Sequence, residues 1–85
     1  MQLVPLIIFK TTELLIHVSF FQVEYRAILV LNPDQANIHS NLGSLLRATG
    51  DLSGSEASYR RALALDPTHT KASEGLVAVT TTRNE

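Results

Sequence analysis

The chain has 85 residues, of which seven are Lys or Arg and eight are Asp or Glu, so its formal net charge is −1 with neutral histidines. This balance argues against nucleic acid as a partner, because a phosphate-binding surface needs clustered basic side chains. The absence of cysteine excludes disulfides, thiolate metal sites and a cysteine nucleophile. Hydrophobic residues make up 45% of the chain, which is typical of a folded protein.

The first 23 residues differ from the rest in charge. They contain two charged residues, Lys10 and Glu13, and the other thirteen all follow residue 23. We therefore divide the chain into an apolar helical segment at residues 1–23, either a degenerate repeat or an unrelated extension, and a second region at residues 24–85. The apolar segment is predicted to be a buried helix or pair of helices whose core residues are Ile8, Leu15, Val18, Phe21 and Val23.

Two membrane-related interpretations of this segment are weaker. A transmembrane helix needs about 20 mostly apolar residues, and Lys10-Thr11-Thr12-Glu13 interrupts the run. A secretory signal begins with basic residues and ends at a small-residue cleavage site, and the segment has neither. A membrane tether through residues 1–23 stays open as an alternative. We also expect this apolar surface to self-associate or to be covered by part of a longer chain.

The next helix is predicted over residues 35–49. Its apolar stripe, spaced at three and four residues, consists of Ile38, Leu42, Leu45, Leu46 and Thr49. Asn32-Pro33-Asp34 should stop the preceding helix and supply the N-cap of this one. Gly50-Asp51 should end it, because glycine most readily adopts the left-handed conformation of a helix C-terminus.

Two further helices follow in the same pattern. Ser53 and Glu56 have the spacing of a capping box, which predicts the start of the second helix. Asp66-Pro67 should end that helix after the apolar positions Ala57, Tyr59, Ala62, Leu63 and Leu65. The third helix is predicted from Thr70 to Val79.

An internal repeat connects these helices. Segments 25–33 and 59–67 share five of nine residues at an offset of 34. The stretch between the two segments contains His39-x₂-Leu42-Gly43-x₂-Leu46. Ser55-x₃-Tyr59 leads into the second segment, which also contains Ala62 and Pro67. These residues resemble the tetratricopeptide repeat (TPR) family, whose 34-residue unit is a helix, a turn and a second helix. The resemblance implies an all-α fold of antiparallel helical hairpins, stacked as a short TPR-type α-solenoid, with one complete repeat from Ala36 to His69.

The residue pattern does not predict an enzyme. His17, His39 and His69 are too far apart in sequence for a local zinc site. The sequence contains no phosphate-binding glycine loop and no nucleophile elbow. We therefore expect no catalytic residues, no metal and no cofactor.

A peptide-binding groove is what the resemblance implies instead, since the first helices of stacked hairpins line a concave surface. Its candidate residues are Asn37, Asn41, Ser44, Arg47 and Lys71, with Ser40, Ala48, Glu74, Gly75 and Ala78 nearby. TPR domains that hold acidic C-termini use five clamp residues. Asn41 and Lys71 match two of those places, and Leu6, Lys10 and Gly75 occupy the others.

The expected function is a scaffold or adaptor that binds a protein or an extended peptide, with the cytoplasm as the default location. Asn41 also matches the asparagine ladder of protein O-linked glycosyltransferases, so a fragment of the TPR array of such an enzyme is an alternative. A membrane-tethered TPR protein is the other.

Overall fold

The computed structural model describes residues 20–84, in which every regular element is a helix. Helix α1 covers residues 20–31, α2 covers Ala36–Ala48, α3 covers Leu52–Leu65 and α4 covers Thr70–Arg83. The predicted all-α fold is confirmed, and α4 continues past its predicted end. Most of the apolar segment predicted at residues 1–23 lies outside the described residues.

The turn between α2 and α3 follows from one glycine. Gly50 has a φ of +88°, which is the left-handed region that the sequence predicts for it. The backbone N–H of Gly50 donates to the Arg47 carbonyl at 3.1 Å, and that of Asp51 donates to the Leu46 carbonyl at 2.9 Å. This pair of hydrogen bonds is a Schellman motif, which satisfies two carbonyls at the end of α2 and reverses the chain.

Both predicted N-caps are wrong. The cap of α2 is Gln35 rather than a residue of Asn32-Pro33-Asp34, and its side chain makes no capping hydrogen bond. The cap of α3 is Asp51 rather than Ser53, because a carboxylate oxygen of Asp51 accepts from the Gly54 N–H at 2.9 Å. Asp51 comes directly after the glycine turn, so it is the first residue that can cap the new helix.

Tyr59 is the centre of the core. It is 1% exposed and packs with Ala62, Ala72 and Val79, which are fully buried. A Cβ added at Gly43 of α2 would lie 2.9 Å from the Tyr59 ring, and one added at Gly75 of α4 would overlap it. The ring therefore fills a space that two glycines leave open, one on each neighbouring helix.

The buried side of α2 differs in part from the predicted apolar stripe. Leu42 and Leu46 are buried as predicted, whereas Thr49 is exposed. Ser40 is fully buried instead, which places it in the core and corrects its assignment to the groove. On α3, the buried Ser55 hydroxyl donates to the Gly43 carbonyl at 2.6 Å, so a serine in this place draws the two helices together.

Helix α1 is apolar but poorly covered. Val30 is 82% exposed and Leu31 is 81% exposed. Phe21 and Val23 were expected in the core, but they are 44% and 67% exposed. We call Phe20, Phe21, Val23, Ile28, Val30 and Leu31 the α1 apolar surface. Among residues 20–84, no helix is long and apolar enough to cross a membrane.

Candidate peptide-binding groove

An open groove lies between α2 and α4, with a volume of about 340 Å³. The two helices face each other across it because α3 packs against both and holds them in place. Its lining comes from all three helices and consists of Ser44, Arg47, Tyr59, Lys71, Glu74, Gly75 and Ala78. The four α4 residues among them are those that the sequence places on this side of the helix.

A hydrogen bond joins the two walls at one end of the groove. The Lys71 ammonium donates to the Asn41 side-chain oxygen at 2.8 Å, and so connects α4 to α2. An ammonium has three N–H donors, and this bond uses one of them. The remaining two can bind a carboxylate or a peptide carbonyl, and Asn41 keeps its own NH₂ group as a donor.

A second hydrogen bond between the same helices involves His69, the N-cap of α4. Its Nδ1 accepts from the Ala72 N–H at 3.2 Å, so its Nε2 must carry the proton of the neutral ring. That Nε2–H donates to the Asn37 side-chain oxygen at 2.7 Å. The side chain of Asn37 thus holds the start of α4 against α2, and it does not line the groove.

Hydroxyl groups form part of the groove floor. The Tyr59 hydroxyl and the Ser44 hydroxyl are 2.8 Å apart. Ser44 also lies 3.3 Å from the Ser40 carbonyl one turn earlier on α2. The floor of the groove is therefore polar at this point, although the tyrosine ring beneath it belongs to the core.

The charges that line the groove are unequal. Arg47 and Lys71 are cationic and Glu74 is anionic, so the lining carries an excess of one positive charge. All three side chains belong to exposed residues. Such a surface favours an anionic group on a ligand, with an attraction that salt weakens.

The structure brings together most of the predicted site residues. Ser44, Arg47 and Lys71 line the groove, and Asn41 is bonded to Lys71 at its edge. Three clamp positions hold residues that differ from those of the family. One of them is Gly75, which lies against the Tyr59 ring and leaves no room for a clamp side chain. Leu6 and Lys10 lie outside the described residues. The sequence did not predict the contribution of Tyr59, because a repeat's central aromatic residue is expected only in the core.

Other polar clusters have structural explanations. A second cavity of about 290 Å³ is lined by Glu56, Thr80, Arg83 and Asn84, and Glu56 there forms ion pairs with Arg60 and Arg83. At the end of α3, hydrogen bonds from the Thr68 side chain and backbone hold the pKa of the Asp66 carboxyl below its ordinary value of 3.8. Residues 20–84 contain no cluster of three or more acidic or histidine side chains that could hold a metal.

Comparison with known families agrees with the repeat frame. A sequence model described as tetratricopeptide repeat matches residues 36–69. These are the bounds that the sequence predicts for the complete repeat, and they contain α2, α3 and the turn between them. The match covers 34 of the 85 residues. A search of curated proteins found no match to the chain.

Proposed function

We propose that this chain binds an extended peptide of a partner protein, because residues 36–69 match a model of the tetratricopeptide repeat, a motif of protein–protein interaction. The binding site is the groove between α2 and α4. Asn41 and Lys71 form one end of it, and Ser44 and Arg47 lie along α2. Asn37 contributes indirectly, because its hydrogen bond with His69 joins α2 to the start of α4.

The observation that carries this proposal is the hydrogen bond from Lys71 to Asn41. It fixes an ammonium at the edge of an open groove while leaving donors for a ligand. Arg47 adds a second cation, and its guanidinium can form two parallel hydrogen bonds with a carboxylate. We therefore expect the peptide to carry at least one carboxylate, from Asp, Glu or a free C-terminus.

A peptide array tests the proposal directly. The chain is labelled and incubated with immobilised octapeptides of varied sequence, some with acidic residues and some with the corresponding amides. We expect selective binding of acidic peptides, and a loss of at least tenfold in affinity for Asn41→Ala/Lys71→Ala. Circular dichroism should show unchanged helicity, because both side chains are on the surface.

Arg61→Ala is the matched control, since it removes one exposed cation from α3, outside the groove. It should leave affinity within about twofold, as expected for a distant exposed charge. Equal weakening by the control and by the groove variant would show that binding depends only on net charge. Equal affinity of wild type and the groove variant would contradict the location of the site.

We propose a second interaction for the α1 apolar surface, namely self-association. Val30 and Leu31 are each more than four-fifths exposed, and clustered exposure of this kind marks contact surfaces in soluble proteins. Sedimentation velocity should show a concentration-dependent increase in mass, and Val30→Gln/Leu31→Gln should reduce it. A monomer at every concentration would rule this interaction out.

A further inference from the structure

The groove floor has a feature that the cationic walls do not share. Tyr59 is held rigidly because its ring lies between Gly43 and Gly75. Its hydroxyl therefore has a fixed position, 2.8 Å from the hydroxyl of the groove-lining Ser44. A phenylalanine ring would fit the same space but would leave the Ser44 hydroxyl without this partner.

The hydroxyl protons determine what this floor can offer to a ligand. The Ser44 hydroxyl can donate to the Ser40 carbonyl at 3.3 Å, and the Tyr59 hydroxyl can then donate to Ser44 Oγ. Both protons are used in this arrangement, and it makes the most hydrogen bonds among the three groups. What remains on the two hydroxyls of these groove-lining residues is acceptor capacity, and Ser44 Oγ keeps one lone pair for a ligand.

This acceptor differs from the nearby wall groups. Lys71 and Arg47 can only donate hydrogen bonds, and Glu74 is an exposed anion. An extended peptide backbone presents both carbonyl and N–H groups, so it can use a neutral acceptor as well as donors. Ser44 supplies that acceptor near the centre of the three-helix unit.

We propose that Ser44 Oγ accepts a hydrogen bond from one backbone N–H of the bound peptide, with Tyr59 as the residue that positions it. This inference rests on the proposed peptide-binding function and specifies its ligand further. The peptide must have a free amide N–H at that position, so proline is excluded there. The selected ligand class is an extended acidic peptide with a non-proline residue on the groove floor.

The test uses the tightest-binding octapeptide from the array, together with a series of its variants that are N-methylated at one backbone nitrogen each. Fluorescence anisotropy gives the affinity of each variant. Methylation at one position should weaken binding to the wild-type chain by about threefold to tenfold, the range expected for one lost hydrogen bond. A steric effect of the methyl group would produce a similar loss, so protein variants must separate the two.

Ser44→Ala removes the acceptor and Ser44→Thr retains a hydroxyl. With Ser44→Ala, methylation at the sensitive position should change affinity by less than about twofold, because no hydrogen bond is left to lose. Ser44→Thr should restore the sensitivity. Tyr59→Phe should reduce it, whereas Tyr25→Phe, which removes the same atom from α1, should leave it at the wild-type level.

The outcomes separate this inference from the function on which it rests. An equal methylation loss in wild type and Ser44→Ala contradicts the Ser44 contact but leaves the groove function standing, provided Asn41→Ala/Lys71→Ala still lowers affinity at least tenfold. If no octapeptide binds the wild-type chain, both proposals are wrong. Should Tyr59→Phe lower the melting temperature, the two Ser44 variants still decide the question.

Discussion

Two segments of this molecule share five of nine residues but differ in burial. Segment 25–33 begins in α1, and segment 59–67 is its copy in α3. Tyr59 is 1% exposed, whereas Tyr25 is half-buried. Ala62 is completely buried, and the equivalent Ile28 is 37% exposed. The shared residues produce a helix and a proline turn in both places, but they do not determine burial.

A sequence difference between the two copies accompanies this difference in burial. Tyr59 has Gly43 on one side and Gly75 on the other, and each lacks the side chain that would collide with the ring. In the 34-residue frame, neither position equivalent to these glycines is a glycine for Tyr25, because the sequence has Phe9 and Asn41 there. The pair of glycines that accommodates the Tyr59 ring therefore has no counterpart in the sequence of the other copy. Substitutions in and around the two copies should therefore change stability by different amounts.

Truncating the two tyrosines should have very different effects. Tyr59→Ala should lower the free energy of unfolding by about 3–5 kcal/mol, because it empties the centre of the core. Tyr25→Ala should lower it by about 1 kcal/mol, because that side chain is only half-buried. Urea unfolding monitored by circular dichroism measures both. Equal losses would mean that α1 contributes to the core as much as α3 does.

Adding a side chain beside Tyr59 should destabilise the fold by overpacking the core. A Cβ at Gly75 would overlap the ring, and the backbone at Gly43 also lies close to the ring and restricts its movement. Gly75→Ala should cost about 1–3 kcal/mol despite the better helix propensity of alanine. Gly43→Ala should cost less, since its Cβ would lie 2.9 Å from the nearest ring atoms. A stabilised Gly75→Ala protein would contradict the packing.

Removing the cap of α3 should have a smaller effect. Asp51→Ala loses the hydrogen bond to the Gly54 N–H and should cost about 1 kcal/mol. Ser53→Ala is the matched control, because Ser53 is exposed within the helix and caps nothing. It should change stability by less than about 0.5 kcal/mol. A larger loss of stability for Ser53→Ala than for Asp51→Ala would instead support the capping box that the sequence predicts.

The smallest effect concerns the turns that follow the two copies. Asp66 accepts hydrogen bonds from Thr68, which lower the pKa of its carboxyl in the folded state. Its contribution to stability is therefore present above the ordinary pKa of 3.8 and is lost as pH falls through the lower folded pKa. Asp66→Asn introduces the residue of the other copy, Asn32. It should flatten the dependence of melting temperature on pH below about pH 4, and an unchanged dependence would assign the effect to another group.

Much of the fold was predictable because it depends on local chemistry. The repeat spacing and the glycine and proline turns determine where α2 and α3 lie, and the predicted frame coincides with the family match at residues 36–69. The caps were harder, since Asp51 and Ser53 are both good capping residues and only the geometry of the Gly50 turn selects between them.

The groove was predictable only in part, for a related reason. Helical periodicity indicates which side of α4 faces α2, so Lys71 and Ala78 were assigned correctly to that side. Helical periodicity indicates the side of the helix on which a side chain lies, but not how deeply that side is buried. Ser40 was therefore assigned to the groove although α2 is deep enough at that point to bury it completely. The Tyr59–Ser44 contact joins residues from two helices, and no pattern within one helix predicts it.

The most direct test of the peptide-binding groove is a two-dimensional amide NMR titration of the ¹⁵N-labelled chain with the tightest-binding acidic octapeptide. We expect the largest shifts at Asn41, Ser44, Arg47, Lys71 and Gly75, on the two walls and floor of the groove. The outer side of α3, including Arg60 and Arg61, should not respond. Shifts concentrated on the α1 apolar surface, with none between α2 and α4, would contradict the groove as the binding site.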